Sequence, residues 1–483
     1  MRFVSLVLLP LLLPACEPGE VKLDDTGTPN TDDTGTAPTD DTSGTTDTTD
    51  TTDTTDTTDE PLVVADLSWR LHEDMESLVY VSWTQSEDAS VRVEYSFDDG
   101  VWAQTPAVAG VSGANETLVV GIPFATNAAW RVVTDVSAVE GPGITTGDLP
   151  NGLPTGEVTV SDPAQWLPGA NYLLCSINER NGGWTGGDYW TFIIDRQARV
   201  LWASLAPDSH WTLYATVSNT GDYIFWDEAT YWSDWDDGAD SKLHLTYLDR
   251  PIETLDTPGL HHAFVQLPDG TLAWGSQDHG GREALVEMAP GETEQTVIWT
   301  CEEDWRGSGN CESNGLYYDE STNSYLYSFY TNNSIVEVDR ASGRSNWWAG
   351  DVDHGYSFDP ADSQFSWQHG ISWTDARTLL VSSEYRPDGA RDTETWLLEY
   401  EVDRTEGVLH YVWGSGSDTR ADTNGDAWRL DNGNTLHVVG SASVVREVNP
   451  DGDDVWRVDW NGTKLMGRGE FIEDLYTLVS PPE

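Results

Sequence analysis

The chain has 483 residues, and its 83 acidic side chains against 24 basic ones give a formal net charge of -59. A surface of that sign repels phosphate backbones and anionic membrane faces, which excludes nucleic-acid binding as a function class. Beyond the first residues no segment is long and apolar enough to be a membrane helix, so only lipid could hold the mature chain to a bilayer.

Residues 1–15 within MRFVSLVLLPLLLPAC carry one positive charge, an apolar run too short to span a bilayer permanently and a small residue before Cys16. This is the pattern of a secretory signal peptide. The tetrapeptide LPAC resembles the lipobox at which bacterial prolipoproteins are cut and acylated. Cys16 is therefore the expected lipidation site, and the expected location is the bacterial outer membrane or cell surface. Plain secretion or periplasmic release after cleavage near Ala15 is the alternative. Residues 16–60 run through DDTGTPNTDDTGTAPTDDTSGTTDTTDTT with almost no apolar side chain to offset the entropy of ordering. They read as a disordered, self-repelling tether that lifts a folded body off a surface.

From about Pro61 the composition changes. LVYVSW, VRVEYS, TLVVGIPF and AAWRVVTDV are short, β-branched and aromatic, and are divided by the turn formers DDG, SGAN and EGPG. Residues 61–150 suit one β-sandwich, and Trp83 with the later GIPFATNAAWRV resembles a fibronectin type III domain.

Residues 156–483 repeat roughly every forty to sixty residues, the range of propeller blades. One half of each unit runs into a D-x-x-G-x-x-x-W-like stretch, as in FIIDRQARVLWASL, LVEMAPGETEQTVIW, IVEVDRASGRSNWWAG, LEYEVDRTEGVLHYVWG and VREVNPDGDDVWRVDW, with LHLTYLDRPIETLDT as a degenerate sixth. The other half is a hairpin: YATVSNTGDYIFW, FVQLPDGTLAW, LYYDESTNSYLYSF, ISWTDARTLLVSS and WRLDNGNTLHVVG. Two hairpins per unit make a four-stranded antiparallel blade, and the fold class expected is all-β, a six-bladed β-propeller. Most tryptophans, Trp367 and Trp373 included, are expected to fill wedges between blades.

CEEDWRGSGNC closes a short loop, which makes Cys301–Cys311 the disulfide expected in an oxidising compartment. Cys175, inside NYLLCSI, reads as a buried small hydrophobe.

In a propeller the first strand of each blade lines the central channel, and the residues just before it crowd one mouth. There the units place His210, then His261 with His262, then Glu312 with Asn314, then His369, then Asp426. Four of the ten histidines fall at this one position, so distant side chains converge on one pocket. His210 reads as structural, and strict strand alternation would send His261 and His262 to opposite faces, only one of them into the channel.

These segments, in this order, resemble the bacterial arylsulfate sulfotransferases. GLHHAFVQLPDGTL matches that family's HHD-plus-NG hairpin, IVEVDRASGRSNWWAGD its "kid-tGei-W-lG" segment, and FSWQHGIS with LLEYEVD and VWGSG the segment of the nucleophilic histidine. DNGNTLHVVGS and GRGEFIEDLY also match. The resemblance implies an exported six-bladed propeller that moves a sulfuryl group between phenols through a sulfated histidine, with no nucleotide donor and no cofactor. It puts His369 in the nucleophile's place, has His261 or His262 bind or protonate an oxygen of the transferring group, and makes Asn314 and Arg468 substrate-binding residues.

Departures from the pattern matter equally. Glu312 stands where the family has a second site histidine, Tyr330 where it has an arginine, and Thr395 and Trp396 where it has serine and arginine. Each loss removes positive charge from a pocket that must stabilise a sulfuryl group, and one lost charged donor costs on the order of a hundredfold. The alternative is a catalytically inactive propeller serving as a tethered receptor or scaffold. The aspartate-rich stretches 233–241, 422–426 and 449–454 invite a calcium reading, but none has EF-hand spacing, so no metal ligand is expected. No GxSxG or S-D-N signature of a serine hydrolase occurs.

Overall fold

The computed structural model describes residues 62–98, 100–182, 186–230, 238–277, 283–384 and 394–481. The signal peptide, Cys16, the Thr/Asp-rich tether and most of 233–241 lie outside the described residues. What is described is nearly all β, and no helix among the described residues is long and apolar enough to cross a membrane.

Residues 64–145 form two sheets, one of three strands and one built around Ala89–Asp98 and Asn127–Val133. Both contribute to one apolar cluster. Val79, Val81 and Trp83 come from one sheet, and Val93, Tyr95, Trp130 and Val132 from the other. The alternation is visible in Val79–Gln85, where buried and half-buried residues take turns.

The remainder is propeller-like. Among the described residues it contains six antiparallel sheets of four or five strands, one of them with an added parallel edge strand. Five take their first strand from a hairpin visible in the sequence: Ala215–Val217, Leu260–Gln266, Ser313–Asp319, His369–Trp373 and Asp426–Arg429. The sixth is assembled from distant segments, with Lys464–Ile472 pairing against Tyr172–Asn181. Gly156–Ser161 in turn pairs with Asp454–Trp460 and so belongs to the sheet of 426–460. These first strands pack in series, 260–266 on 313–319, then 369–373, 426–429 and 464–472, which also touches 215–217. The buried Arg196–Glu447 pair, at 2.8 Å, joins the sheet of 172–205 to that of 426–460, and Arg196 also stacks on Phe471 at 4.0 Å.

Large rings do fill the space between sheets. Trp274, Trp348 and Trp456 are buried, and Trp299, Trp305 and Phe329 gather around Trp348. Trp373 is buried as expected, between Trp347 and the guanidinium of Arg377. Trp367 is not. It is 44% exposed with φ +52, so the wedge role expected of it is wrong. The Cys301–Cys311 disulfide is present, with Cα atoms 6.3 Å apart, and Cys175 is a buried free thiol whose ionisation is pushed up by burial.

Gly370 follows His369 at φ +53, and a Cβ there would sit 2.4 Å from the Asp426 backbone. Gly370→Ala should therefore cost about 1–3 kcal/mol of backbone strain, with the steric clash in addition. A urea midpoint unchanged from wild type would contradict this close approach.

Candidate functional site

The first strands of these sheets are not regular where the candidate residues lie. Leu260–Gln266 loses register between Leu260 and Phe264, Ser313–Asp319 between Ser313 and Gly315, and His369–Trp373 between His369 and Ile371. Lys464–Ile472 slips between Met466 and Gly469. His261, His262, Asn314 and Arg468 fall within these irregularities, and His369 borders one. A bulge re-aims side chains that alternation would send elsewhere.

The first consequence is a correction. His261 and His262 do not point to opposite faces. Both are buried, with rings at 83° and Nδ1 atoms 2.7 Å apart, because the bulge breaks the alternation between them. Glu283 receives His261 Nε2 at 3.0 Å, together with the hydroxyls of Ser313 (2.6 Å) and Tyr327. Burial pushes the Glu283 carboxyl up, but the His261 charge and these hydrogen bonds outweigh it and hold it below its ordinary value. With Glu283 ionised and taking the Nε2 proton, one proton sits between the two Nδ1 atoms. His262 is held well below the ordinary histidine range, first by burial, then by the charges of His261 and His369. His262 and His369 therefore lie within electrostatic reach of each other.

His369 is buried. Its Nδ1–H donates to the Trp367 carbonyl at 3.2 Å, and its Nε2 accepts the Asn424 N–H at 3.3 Å. The carbonyl fixes the tautomer, leaving the lone pair on Nε2. Burial lowers its pKa to about 4, partly countered by the Trp367 carbonyl, so the ring is neutral at pH 7. Trp367, exposed and strained in φ, stands beside Tyr330 at 6.3 Å, and Tyr330 beside His262 at 6.4 Å. Tyr330 thus stands against His262, and Trp367, whose carbonyl holds His369, stands against Tyr330.

Sequence reasoning missed Glu384. It is buried, 4.0 Å from His369 Nδ1, and its Oε1 has no hydrogen-bond partner among the described residues. Burial, reinforced by Asp422 and opposed by Arg420, pushes it up to about 9, so it is a neutral acid at pH 7. Glu384 and Glu283 carried no signal in the strand periodicity, because both act from positions outside the first strands.

Asn314 is buried and donates to the Gln368 carbonyl at 2.6 Å, next to His369 in the chain, while its Oδ1 is unsatisfied. Glu312 accepts the Tyr330 hydroxyl, so two of the positions that depart from the pattern of the resemblance bind each other. Thr395 accepts the Ala421 N–H and supports the loop carrying Arg420.

Two predicted residues belong elsewhere. His210 bonds Glu228 at 2.7 Å, which also holds His244, the structural pairing expected of it. Arg468 lies over Trp428 at 4.2 Å and lines a cavity of about 1090 Å³ at the other ends of the first strands, with Gln266, Asp319 and Thr374. His369 Nε2 is level with Asn424, whereas the Arg468 guanidinium is level with Trp428. The lining of that cavity includes none of His261, His262 and His369, so Arg468 does not share a cavity with them. Asp426 lies between, 3.8 Å from Arg468, and burial raises it to about 6 despite that arginine.

Ser382, register partner of His369, lies 3.0 Å from His437 Nε2. Arg446 donates to His437 Nδ1 at 3.1 Å, which forces the proton onto Nε2 and makes it a donor to the serine. That tautomer cannot act as the serine's base. Among the described residues no three His, Cys, Asp or Glu side chains are grouped to hold a metal.

No family model and no curated protein matches the chain. Solved structures similar to it include a protein of unknown function from Bacteroides caccae (11% identity, 62% of this chain, 98% of that one, TM-score 0.41). They also include a periplasmic gluconolactonase from Pseudomonas aeruginosa (12%, 80% and 99%, TM-score 0.39) and an inactive virginiamycin B lyase from Staphylococcus aureus (11%, 67% and 97%, TM-score 0.39). Likeness of this degree assigns no activity.

The two shifted groups act oppositely on stability. Between pH 6.5 and about 4 the unfolded chain takes up a proton that folded His369 refuses, so its contribution is present above 6.5 and lost as pH falls. Between 4.5 and about 9 folded Glu384 keeps a proton the unfolded chain has released, so its contribution is present below 4.5 and lost as pH rises. His369→Asn should flatten the first limb and Glu384→Gln the second in urea midpoints measured from pH 4 to 9. Variant profiles running parallel to wild type would contradict both assignments.

Proposed function

We propose that this chain is an exported, lipid-anchored sulfuryl transferase of the arylsulfate type, its six sheets closing a six-bladed propeller behind a fibronectin III-like sandwich. The observation that carries the reading is the pair of buried, neutral imidazoles, His262 and His369, the first beside Tyr330 and the second with its tautomer fixed by the Trp367 carbonyl. The disulfide supports export, and the order of motifs around His369 supports the chemistry.

In the first half-reaction His369 Nε2 releases the Asn424 N–H it accepts at rest and attacks the sulfur of an aryl sulfate ester. The N–S bond forms, the S–O bond breaks, and His262 Nε2–H protonates the departing phenolate. The relay supplies that proton: with its Nε2–H held by Glu283, His261 passes its Nδ1 proton across the Nδ1–Nδ1 contact to His262 as His262 Nε2 gives up its own. In the second half the bared His262 Nε2 takes the proton of an acceptor phenol, the phenolate attacks sulfur, and His369 is restored. The sum is one ester and one phenol exchanging a sulfuryl group, with the relay returned to its start. Asn314 holds the Gln368–His369 backbone in place, and protonated Glu384 supports the ring without adding negative charge. A second reading, a binding module without turnover, is favoured by the Glu312–Tyr330 bond, which puts a carboxylate where the family pattern has a cation.

The test is transfer from 4-nitrophenyl sulfate to phenol without nucleotide, with trapping of an acid-labile sulfated histidine. His369→Ala should lower turnover by about 10³-fold or more and abolish trapping. No turnover and no trapped adduct in wild type would leave the binding reading standing. The relay has its own signature. Glu283→Gln should slow phenyl sulfate by about 10²-fold, yet 4-nitrophenyl sulfate far less, because its phenolate leaves without a proton. Equal losses on both donors would show Glu283 to be structural.

A further inference from the structure

The cavity at the far ends of the first strands holds a cation that the sulfuryl-transfer reading does not use. Most described arginines are tied directly to carboxylates; in the same cavity Arg377 is bound to Asp319 at 2.6 Å. Arg468 is not. Its side chain is 13% exposed, its Nε is buried without a hydrogen bond, and its nearest carboxylate, Asp426, stands 3.8 Å away. Asp426 instead accepts the Trp428 indole N–H at 2.5 Å. In a chain of net charge -59, a guanidinium over an indole, with its Nε buried and without a hydrogen bond, is a site for an anion.

The walls narrow the class of anion. Tyr317 stands 6.0 Å from the Trp428 ring, and Trp373 also faces this cavity. A small inorganic anion would leave these rings wet, and a neutral ring would leave the guanidinium unpaired, whereas a flat aromatic anion satisfies both. We propose that this cavity, walled by Arg468, Trp428 and Tyr317, is a second binding site, for a small aromatic monoanion such as an aryl carboxylate, distinct from the histidine pocket.

His369 is not among the residues lining this cavity, so occupancy at the two places is separable by mutation. Calorimetric titration of the full chain with 4-hydroxybenzoate should show saturable binding, with the neutral 4-hydroxybenzamide at least tenfold weaker and inorganic sulfate weaker still. Arg468→Gln and, independently, Tyr317→Ala at the rim should each weaken the carboxylate at least tenfold. His369→Ala should leave its affinity unchanged. Absence of binding, equal affinity for the amide, wild-type affinity in the Tyr317 variant, or loss of binding in the His369 variant would each overturn the proposal. Should Arg468→Gln not fold, Arg468→Lys and Tyr317→Ala decide it: lysine keeps the charge but loses the planar fork and the stacking, so tenfold weakening is expected there as well.

Discussion

The structure depends on two strand pairings made across the whole repeat region: Lys464–Ile472 against Tyr172–Asn181, and Gly156–Ser161 against Asp454–Trp460. The second brings together residues as far apart as Thr159 and Asp459, 300 positions along the chain. Closing such a loop costs little more entropy than closing one half as long, because the cost grows only logarithmically. What it yields is large. Strand edges at 172–181 and 454–460 that would otherwise face water are paired, and Lys464–Ile472 is set beside Asp426–Arg429 and Ala215–Val217. The Arg196–Glu447 pair fastens the same seam from within. Leu167 N–H and the Asn434 amide also bind Glu447, so neither charge is left uncompensated in the interior.

Why the sequence reveals the sheets but not this seam follows from its geometry. Five inner hairpins are contiguous, with a turn such as PDG or DNGN between alternating runs, and each is readable in a window of a dozen residues. Six outer halves are visible against only five inner ones. The missing inner hairpin is made from 172–181 and 464–472, and no local window contains both. Gly156–Ser161, which looks like the opening of the first repeat, for the same reason finishes the sheet of 426–460.

The site was legible in position and illegible in direction. His261, His262, Asn314 and His369 stand where a channel-lining strand starts, and the periodicity finds that place. Alternation then fails there because each of those strands carries an irregularity, a feature that depends on the partner strand and leaves no mark on one strand read alone. Trp367 illustrates the same limit. A tryptophan in a tryptophan-rich repeat reads as wedge packing, and only its positive φ, forced by the turn that offers its carbonyl to His369, puts the ring in solvent. Glu283 and Glu384 are two carboxylates among 83 acidic residues, and burial alone separates them from the rest.

Burial sorts those two carboxylates into opposite states by the partners each one finds. Glu283 meets an imidazole and two hydroxyls and stays charged. Glu384, whose Oε1 finds no hydrogen bond among the described residues, keeps its proton. An ionised Glu384 would set a full negative charge 4.0 Å from His369 Nδ1, which would oppose the anionic ester of the proposed transfer. The two ends of the first strands thereby meet an anion by different means. At the histidine end the ionised Glu283 is held by His261 and two hydroxyls while Glu384 stays neutral, an arrangement that the proposed transfer would use. At the other end Arg468 offers a fixed cation on an aromatic plane, which suits a ligand that is held rather than converted.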